Sequence, residues 1–187
     1  MSQGTFCSCS DYTLNKMYKR FTKRALDFSL STTLIIFSFP IMIIISLLII
    51  LNQRTFPIFF QRRPGLNGKI FTLVKFKTMK DVECSHEINE NERLTKLGIF
   101  LRKFSLDELP ELFNIFIGHM SFVGPRPLLV EYLKYYTSEQ QRRHEVRPGL
   151  TGLAQINGRN SLTWEKRFKL DLEYVETISF KKDILIF

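Results

Sequence analysis

The sequence predicts a mostly α-helical protein with one small β-hairpin, preceded by a membrane helix that enters, breaks at Pro40 and returns. Three observations predict it. Residues 28 to 51 carry no charge and contain Pro40 near their middle. The turn signal "GLNG" separates two short runs of partly alternating apolar and polar residues between 57 and 80. Further on, apolar residues recur at helical spacing over 93–103, 106–117, 129–144 and 163–178.

Taken in order, residues 1–15 are small, polar and cysteine-bearing and read as a flexible tail. Residues 16–54 form the membrane element. Twenty-four helical residues reach roughly 36 Å, enough for a hydrocarbon core of about 30 Å. A single crossing is the simplest reading, and two features oppose it. Pro40 cannot donate to the Ile36 carbonyl and clashes with that turn, so the helix is expected to kink. Both flanks are basic. Lys16, Lys19, Arg20, Lys23 and Arg24 precede the segment, and no acidic residue follows it until Asp81. One crossing cannot put both flanks in the cytoplasm, whereas a re-entrant dip can. The hydroxyls of Thr32 and Thr33 are candidates to satisfy freed carbonyls, and Asp27 is either interfacial or a partner for Arg24. A kinked single span stays open on these features alone.

Residues 55–187 form the second unit, a cytoplasmic domain. "PIFFQRRPGLNGKIFTLVKFKTMK" gives the hairpin. Residues 81–92 hold five carboxylates and little apolar content, and read as a solvated loop. "SFVGPRPLL" reads as a tight turn and "VRPGLTGLAQINGRN" as a turn-rich connection.

At 187 residues the chain can bury one modest core. Its net charge of +9 suits an anionic partner: a nucleic acid, a phosphorylated substrate or an acidic lipid surface. No nucleic-acid-binding motif is present, and a nucleic-acid role would leave the uncharged segment unexplained, so no nucleic-acid partner is expected. Cys7, Cys9 and Cys84 read as free thiols, and His86, His119 and His144 follow no metal spacing. "GLNGK" lacks the length and the following Ser or Thr of a P-loop.

The chemistry-bearing stretch is "FSLDELPELFNIFIGHMSFVGPRPL". Ser105 to Glu108 matches a capping box; alternatively Asp107 is itself the cap, with Pro110 at the third helical position. Either way Asp107 and Glu108 lie in a first helical turn, where the dipole favours negative charge. Helix-start chemistry alone accounts for that. An ionised Asp107 beside Glu108 can also bind Mg²⁺ or attack phosphorus. Arginines suited to phosphate lie nearby or recur in stiff turns: Arg102, Arg126 between Pro125 and Pro127, Arg147 before Pro148-Gly149, and Arg159 after Asn157-Gly158.

The segments "QRRPG", "FTLVKFKTM", "SLDELPELFN", "MSFVGPRPLL" and "VRPGLTGLAQINGRN", in this order after a basic-apolar block, resemble the bacterial sugar transferases. The likeness covers roughly residues 17 to 187 and is nearest to the small monotopic phosphoglycosyl transferases. The resemblance implies a compact catalytic domain with interfacial helices, on the cytoplasmic face of the bacterial inner membrane, with the re-entrant helix broken at Pro40. It implies transfer of a sugar phosphate from a UDP-sugar to polyprenyl (undecaprenyl) phosphate, releasing UMP and starting membrane-linked glycan assembly. Asp107 falls on the family's nucleophile and Glu108 on its partner, with Mg²⁺ as cofactor. Arg102 and Arg126 fall on its phosphate-binding arginines. Membrane lipids, a second copy of the chain and downstream glycosyltransferases are further expected partners.

The chain departs from the family pattern at Phe39, where serine is common, at Leu153, where tryptophan is frequent, and at Lys77, where arginine is commoner. Phe187 comes early for the family, and a further C-terminal segment is expected. The competing class is a non-catalytic membrane-anchored scaffold, for which Asp107→Asn would leave every cellular function intact.

Overall fold

The computed structural model describes residues 18–80, 93–158 and 161–187. The tail 1–15 and the acidic loop 81–92 lie outside the described residues. A π-helical turn, Tyr18–Thr22, leads into helix α1, Lys23–Gln53, which stays helical through Pro40. Strands β1 (Ile58–Pro64) and β2 (Ile70–Phe76) form the expected antiparallel hairpin, in register from Ile58 opposite Phe76 to Pro64 opposite Ile70. Its turn places Asn67 and Gly68 at φ 53° and 72°, a left-handed pair that "GLNG" makes cheap. Helices α2 (Lys96–Lys103) and α3 (Glu111–Ile117) follow.

The remaining chain differs in part from expectation. Strands β3 (Ser121–Val123) and β4 (Gly149–Thr151) pair in parallel, where the sequence reads as turns. The helix expected over 129–144 is three short pieces: 3₁₀ turns at Val130–Tyr135 and Arg142–Glu145 flank α4, Ser138–Gln141. A capping box at Thr137 and Gln140 restarts the chain there and divides it. Helix α5 (Leu153–Ile156) is one turn, α6 (Trp164–Glu176) matches its expected periodicity, and α7 (Phe180–Ile186) closes the structure.

One stripe of α1 meets the rest of the chain along its whole length: Asp27, Ser31, Met42, Ile45 and Ile49 are buried. These residues recur at three- and four-residue steps, with 31 to 42 spanning three turns, so they share a face. Met42, Ile45 and Ile49 pack with Phe76 and Leu101. Leu34 and Ile35 pack against the main core around Ile115, Met120 and Tyr174. Full burial of an isoleucine contributes about 1.5–3 kcal/mol. The other faces of α1 leave Ile36, Phe37, Ile44 and Leu51 exposed, on a helix long and apolar enough to cross a membrane.

Both ends of α1 are tied to the same domain. At the start, Lys23 pairs with Asp183 of α7. Arg24 donates from both terminal nitrogens to the Ile115 and Phe116 carbonyls, each at 2.6 Å. It thus caps the negative end of α3. Asp27 accepts the Phe122 N–H at 3.2 Å, and the charges of Lys23 and Arg24 attract its carboxylate from the same end of the helix. At the other end, the Gln53 amide donates to the Lys77 carbonyl at 3.3 Å and to Thr95 at 3.4 Å. Thr32 and Thr33 bond the carbonyls of Phe28 and Ser29, four residues back, rather than that of Ile36.

Asp183 is the polar hub of this end. It accepts from Tyr18 and from Tyr174, both at 2.6 Å, besides Lys23. Tyr174 also reaches the Val123 carbonyl at 3.0 Å. Removing one member of such a buried set strands the others. Asp183→Ala is therefore expected to destabilise the protein by roughly 3 kcal/mol, read as a lower melting temperature in detergent. Glu173→Ala, which removes only the exposed partner of Lys182, should stay within about 0.5 kcal/mol of the parent.

Candidate active site

Asn114 sets the site's geometry. It projects from α3 onto the edge of β2, accepting the Val74 N–H at 3.0 Å and donating to the Thr72 carbonyl at 2.7 Å. The amide pairs with the strand as a neighbouring strand would, and it is almost wholly buried. This fixes α3 against β2 and brings Lys75 of β2 to two carboxylates from the α3 side. The Lys75 ammonium lies 3.0 Å from Glu108 Oε1 and 2.8 Å from Glu111 Oε1.

The carboxylate pair does not lie in the expected capped helix start. Ser105 makes no side-chain cap; it adopts φ 55°, in the left-handed region. Asp107 and Glu108 belong to a separate 3₁₀ turn, Leu106–Glu108, and α3 begins only after Pro110. Pro110 has no N–H to return to the Leu106 carbonyl, so an α-helical ladder cannot run through this segment. Three-residue bonds replace it, from the Leu109 N–H to Leu106 at 3.3 Å and from the Phe113 N–H to Pro110 at 3.1 Å. A non-glycine residue at positive φ costs on the order of 1–3 kcal/mol, and such strain gathers at functional sites.

Asp107 and Glu108 face a cleft of about 1030 Å³ lined by nine basic and four acidic side chains. That imbalance suits a ligand carrying several negative charges. Arg126 reaches Glu108 Oε1 at 2.7 Å, so this one oxygen holds both Arg126 and Lys75. Arg102 lines the same cleft, its Nε donating to the Thr78 hydroxyl at 3.0 Å. Gly98 makes that contact possible. A β-carbon there would lie 2.1 Å from the Thr78 carbonyl oxygen, so only glycine lets α2 cross the end of β2 this closely.

The two adjacent carboxyls are driven apart electrostatically. Burial raises Asp107, and the Glu108 charge raises it further; Lys75, its own backbone N–H and Arg102 only partly offset this. The helix dipole and arginines therefore do not hold Asp107 low, as the sequence reading expects. Burial also raises Glu108, but Arg126 and Lys75 outweigh it and hold its carboxyl below the usual range.

Four residues singled out from sequence thus meet in one cleft: Asp107, Glu108, Arg102 and Arg126. Arg147 does not line it. Its Nε donates to the Gly118 carbonyl at 2.9 Å, beyond the end of α3. Arg159 lies outside the described residues. Sequence reasoning missed Lys75, Glu111, Asn114, Arg143 and Asp171. Lys75 and Lys77, two apart at the end of an alternating run, are the pattern that could have flagged a basic face at the cleft. Asp107 and Glu108 are also the carboxylate pair that a divalent cation would use. No group of three or more His, Cys, Asp or Glu capable of holding a metal occurs among the described residues. The donor set fits Mg²⁺, which takes one or two carboxylates and completes its shell with phosphates and water, and does not fit an all-protein cage.

A family model described as "Bacterial sugar transferase" matches residues 18–187. The chain is 56% identical over 133 residues to "Uncharacterized sugar transferase EpsL" of Bacillus subtilis, covering 70% of this chain and 66% of that one. It is 40% identical over 179 residues to the "UDP-glucose:undecaprenyl-phosphate glucose-1-phosphate transferase" of Escherichia coli, covering 89% of this chain and 39% of that one. With the "Exopolysaccharide production protein ExoY" of Rhizobium meliloti it shares 35% over 184 residues, 88% of this chain and 81% of that one. The chain therefore spans two fifths of the Escherichia coli relative and two thirds of the Bacillus one.

The opposed environments of the carboxylates give a direct test. Asp107 should titrate above the ordinary aspartate range, followed by infrared difference spectroscopy. Glu108→Gln removes a like charge beside it, so its titration should move down. An unchanged or upward shift contradicts the arrangement.

Proposed function

The chain belongs to the bacterial sugar transferase family, and from that premise we propose that it is a membrane-bound phosphoglycosyl transferase. In this reading it moves a sugar 1-phosphate from a UDP-sugar to a polyprenyl phosphate such as undecaprenyl phosphate. The observation that carries it is the Asp107–Glu108 pair facing a strongly basic cleft, with Glu108 held by Lys75 and Arg126.

The diphosphate of the donor lies among the cleft cations, with Arg102 and Arg126 on its oxygens. A carboxylate oxygen of Asp107 attacks the β-phosphorus. The P–O bond to the α-phosphate breaks, and UMP leaves with the bond's electron pair. The sugar phosphate is then an acyl phosphate on Asp107. A polyprenyl phosphate oxygen attacks the same phosphorus, freeing the Asp107 carboxylate and giving polyprenyl-diphosphate-sugar. Burial of Asp107 leaves its carboxylate poorly solvated, a more reactive nucleophile than one in water, provided the pH is high enough to ionise it. Mg²⁺ bound by Asp107 and Glu108 would supply further neutralisation of the diphosphate. The basic excess of the cleft favours the departing anion and the incoming lipid phosphate alike.

The lipid acceptor requires the cleft to lie at a membrane. The apolar faces of α1, the exposed Phe56 just after it and the exposed Phe59 and Phe60 of the hairpin support this, and Phe59 itself lines the cleft. A helix whose two ends are both fastened to one domain fits the re-entrant arrangement on the cytoplasmic face better than a crossing. Glycan assembly on the lipid carrier is the process such a product would begin.

Purified protein given UDP-sugars, Mg²⁺ and polyprenyl phosphate should release UMP; no release across a broad UDP-sugar panel would sink the proposal. Asp107→Asn should lower turnover by on the order of a thousandfold or more and abolish a trapped phosphosugar adduct. An adduct that persists removes Asp107 as nucleophile. In a background with the three cysteines changed to serine, single cysteines at Asn15 and Asn52 should be labelled from the same, cytoplasmic side of membrane vesicles. Labelling from opposite sides restores a crossing helix.

A further inference from the structure

In the wall of the cleft, Arg143 and Asp171 form an ion pair in which each side chain is 2% exposed. Arg143 comes from the 3₁₀ turn after α4 and Asp171 from the inward face of α6. Nε and Nη2 of Arg143 both donate to Asp171 Oδ2, at 3.1 and 2.6 Å. Its Nη1 reaches the Tyr136 hydroxyl at 3.3 Å, and the guanidinium lies 5.6 Å from the centre of the Phe168 ring. A buried ion pair is a weak source of stability, since desolvating two charges offsets most of their attraction. Something else must account for one placed against a substrate cleft.

That something is the remaining contact. Nη2 of Arg143 donates to the backbone carbonyl of Arg126 at 2.8 Å. The carbonyls on either side are also taken: that of Pro125 by the Gly149 N–H at 3.0 Å, and that of Pro127 by Arg63 at 3.2 Å. The proline rings fix φ at 125 and 127, and Pro127 confines Arg126 to extended conformations. What they leave free is rotation about the Arg126 N–Cα bond, which swings its carbonyl and its side chain together. Arg143 holds that carbonyl, and with it the direction in which the Arg126 side chain leaves the turn toward Glu108.

We propose that the buried Arg143–Asp171 pair is a positioning device for Arg126, holding its guanidinium in the diphosphate-binding arrangement. The inference rests on the phosphate-binding role given to Arg126 above. Arg143 and Asp171 need touch no substrate themselves; Asp171 sets the orientation of Arg143, and Arg143 sets that of the turn.

The test is a double-mutant cycle on UDP affinity, measured by calorimetry on the full chain in detergent. Arg126→Ala and Asp171→Asn should each weaken UDP by about tenfold, and the double variant should be weaker than Arg126→Ala by less than about twofold. A purely structural Asp171 would instead give additive losses, which overturns the proposal, as does unaltered affinity in Asp171→Asn. If Asp171→Asn fails to fold, Arg143→Lys serves in its place. It keeps the charge facing Asp171 and loses the second branch to the carbonyl, and it must show the same non-additivity with Arg126→Ala. A parent protein that binds no UDP overturns the proposal too. UMP release by the parent is scored separately, so an inactive protein with a non-additive cycle sinks the transferase reading and leaves the positioning role standing.

Discussion

The side-chain amide of Asn114 is the contact on which the rest of the arrangement depends. A strand edge and a helix face have no shared hydrogen-bonding pattern, and burying one against the other would normally strand backbone groups. Asn114 answers both the Thr72 carbonyl and the Val74 N–H, so β2 can be buried at that edge with its polar groups satisfied. The register this fixes is specific to one residue, because slipping a strand by one reverses every side chain. With β2 in this register, Lys75 faces Glu108 and Glu111, and Phe71 and Leu73 face the core.

A second constraint follows from the charge excess of the cleft. Lys75 and Arg126 converge on one oxygen of Glu108, while Asp107, one residue away, lies buried with weaker compensation. Adjacent carboxyls of one 3₁₀ turn are thus held with opposite proton affinities. One is a fixed negative anchor for cations, and the other a group whose charge is expensive unless something neutralises it. Paired titratable groups pushed apart in this way are how sites divide roles between like residues.

Much of the hairpin and of α6 was legible because their signals are local. "GLNG" specifies its own left-handed turn, and "TWEKRFKLDLEYVETI" carries its apolar face within four turns. The β3–β4 pair was not legible, since each strand is three residues long and its partner lies far along the chain. The separate 3₁₀ turn at Asp107 was not legible, because a proline at a third helical position is compatible with a helix start, whereas Pro110 here stops the ladder. Among the arginines, proline neighbours marked Arg126 and Arg147 alike, yet only Arg126 faces the cleft. Stiffness of a turn is written in its residues; the direction it faces is decided by what packs behind it. The same limit hid Arg143 and Asp171, which are unremarkable in sequence and acquire meaning only together.

The fastening of α1 at both ends has a mechanical consequence. A spanning helix must match the full hydrocarbon thickness, and it tilts or deforms the bilayer when it does not. A helix anchored through Lys23 and Arg24 at one end and Gln53 at the other, on a single domain, has its depth set by that domain instead. In a membrane, such an element would respond to the packing of one leaflet and be indifferent to the other. Under the proposed transferase reading, the cleft would then keep a constant height above the acyl chains in membranes of different thickness, and the lipid acceptor would meet it at the same level in each.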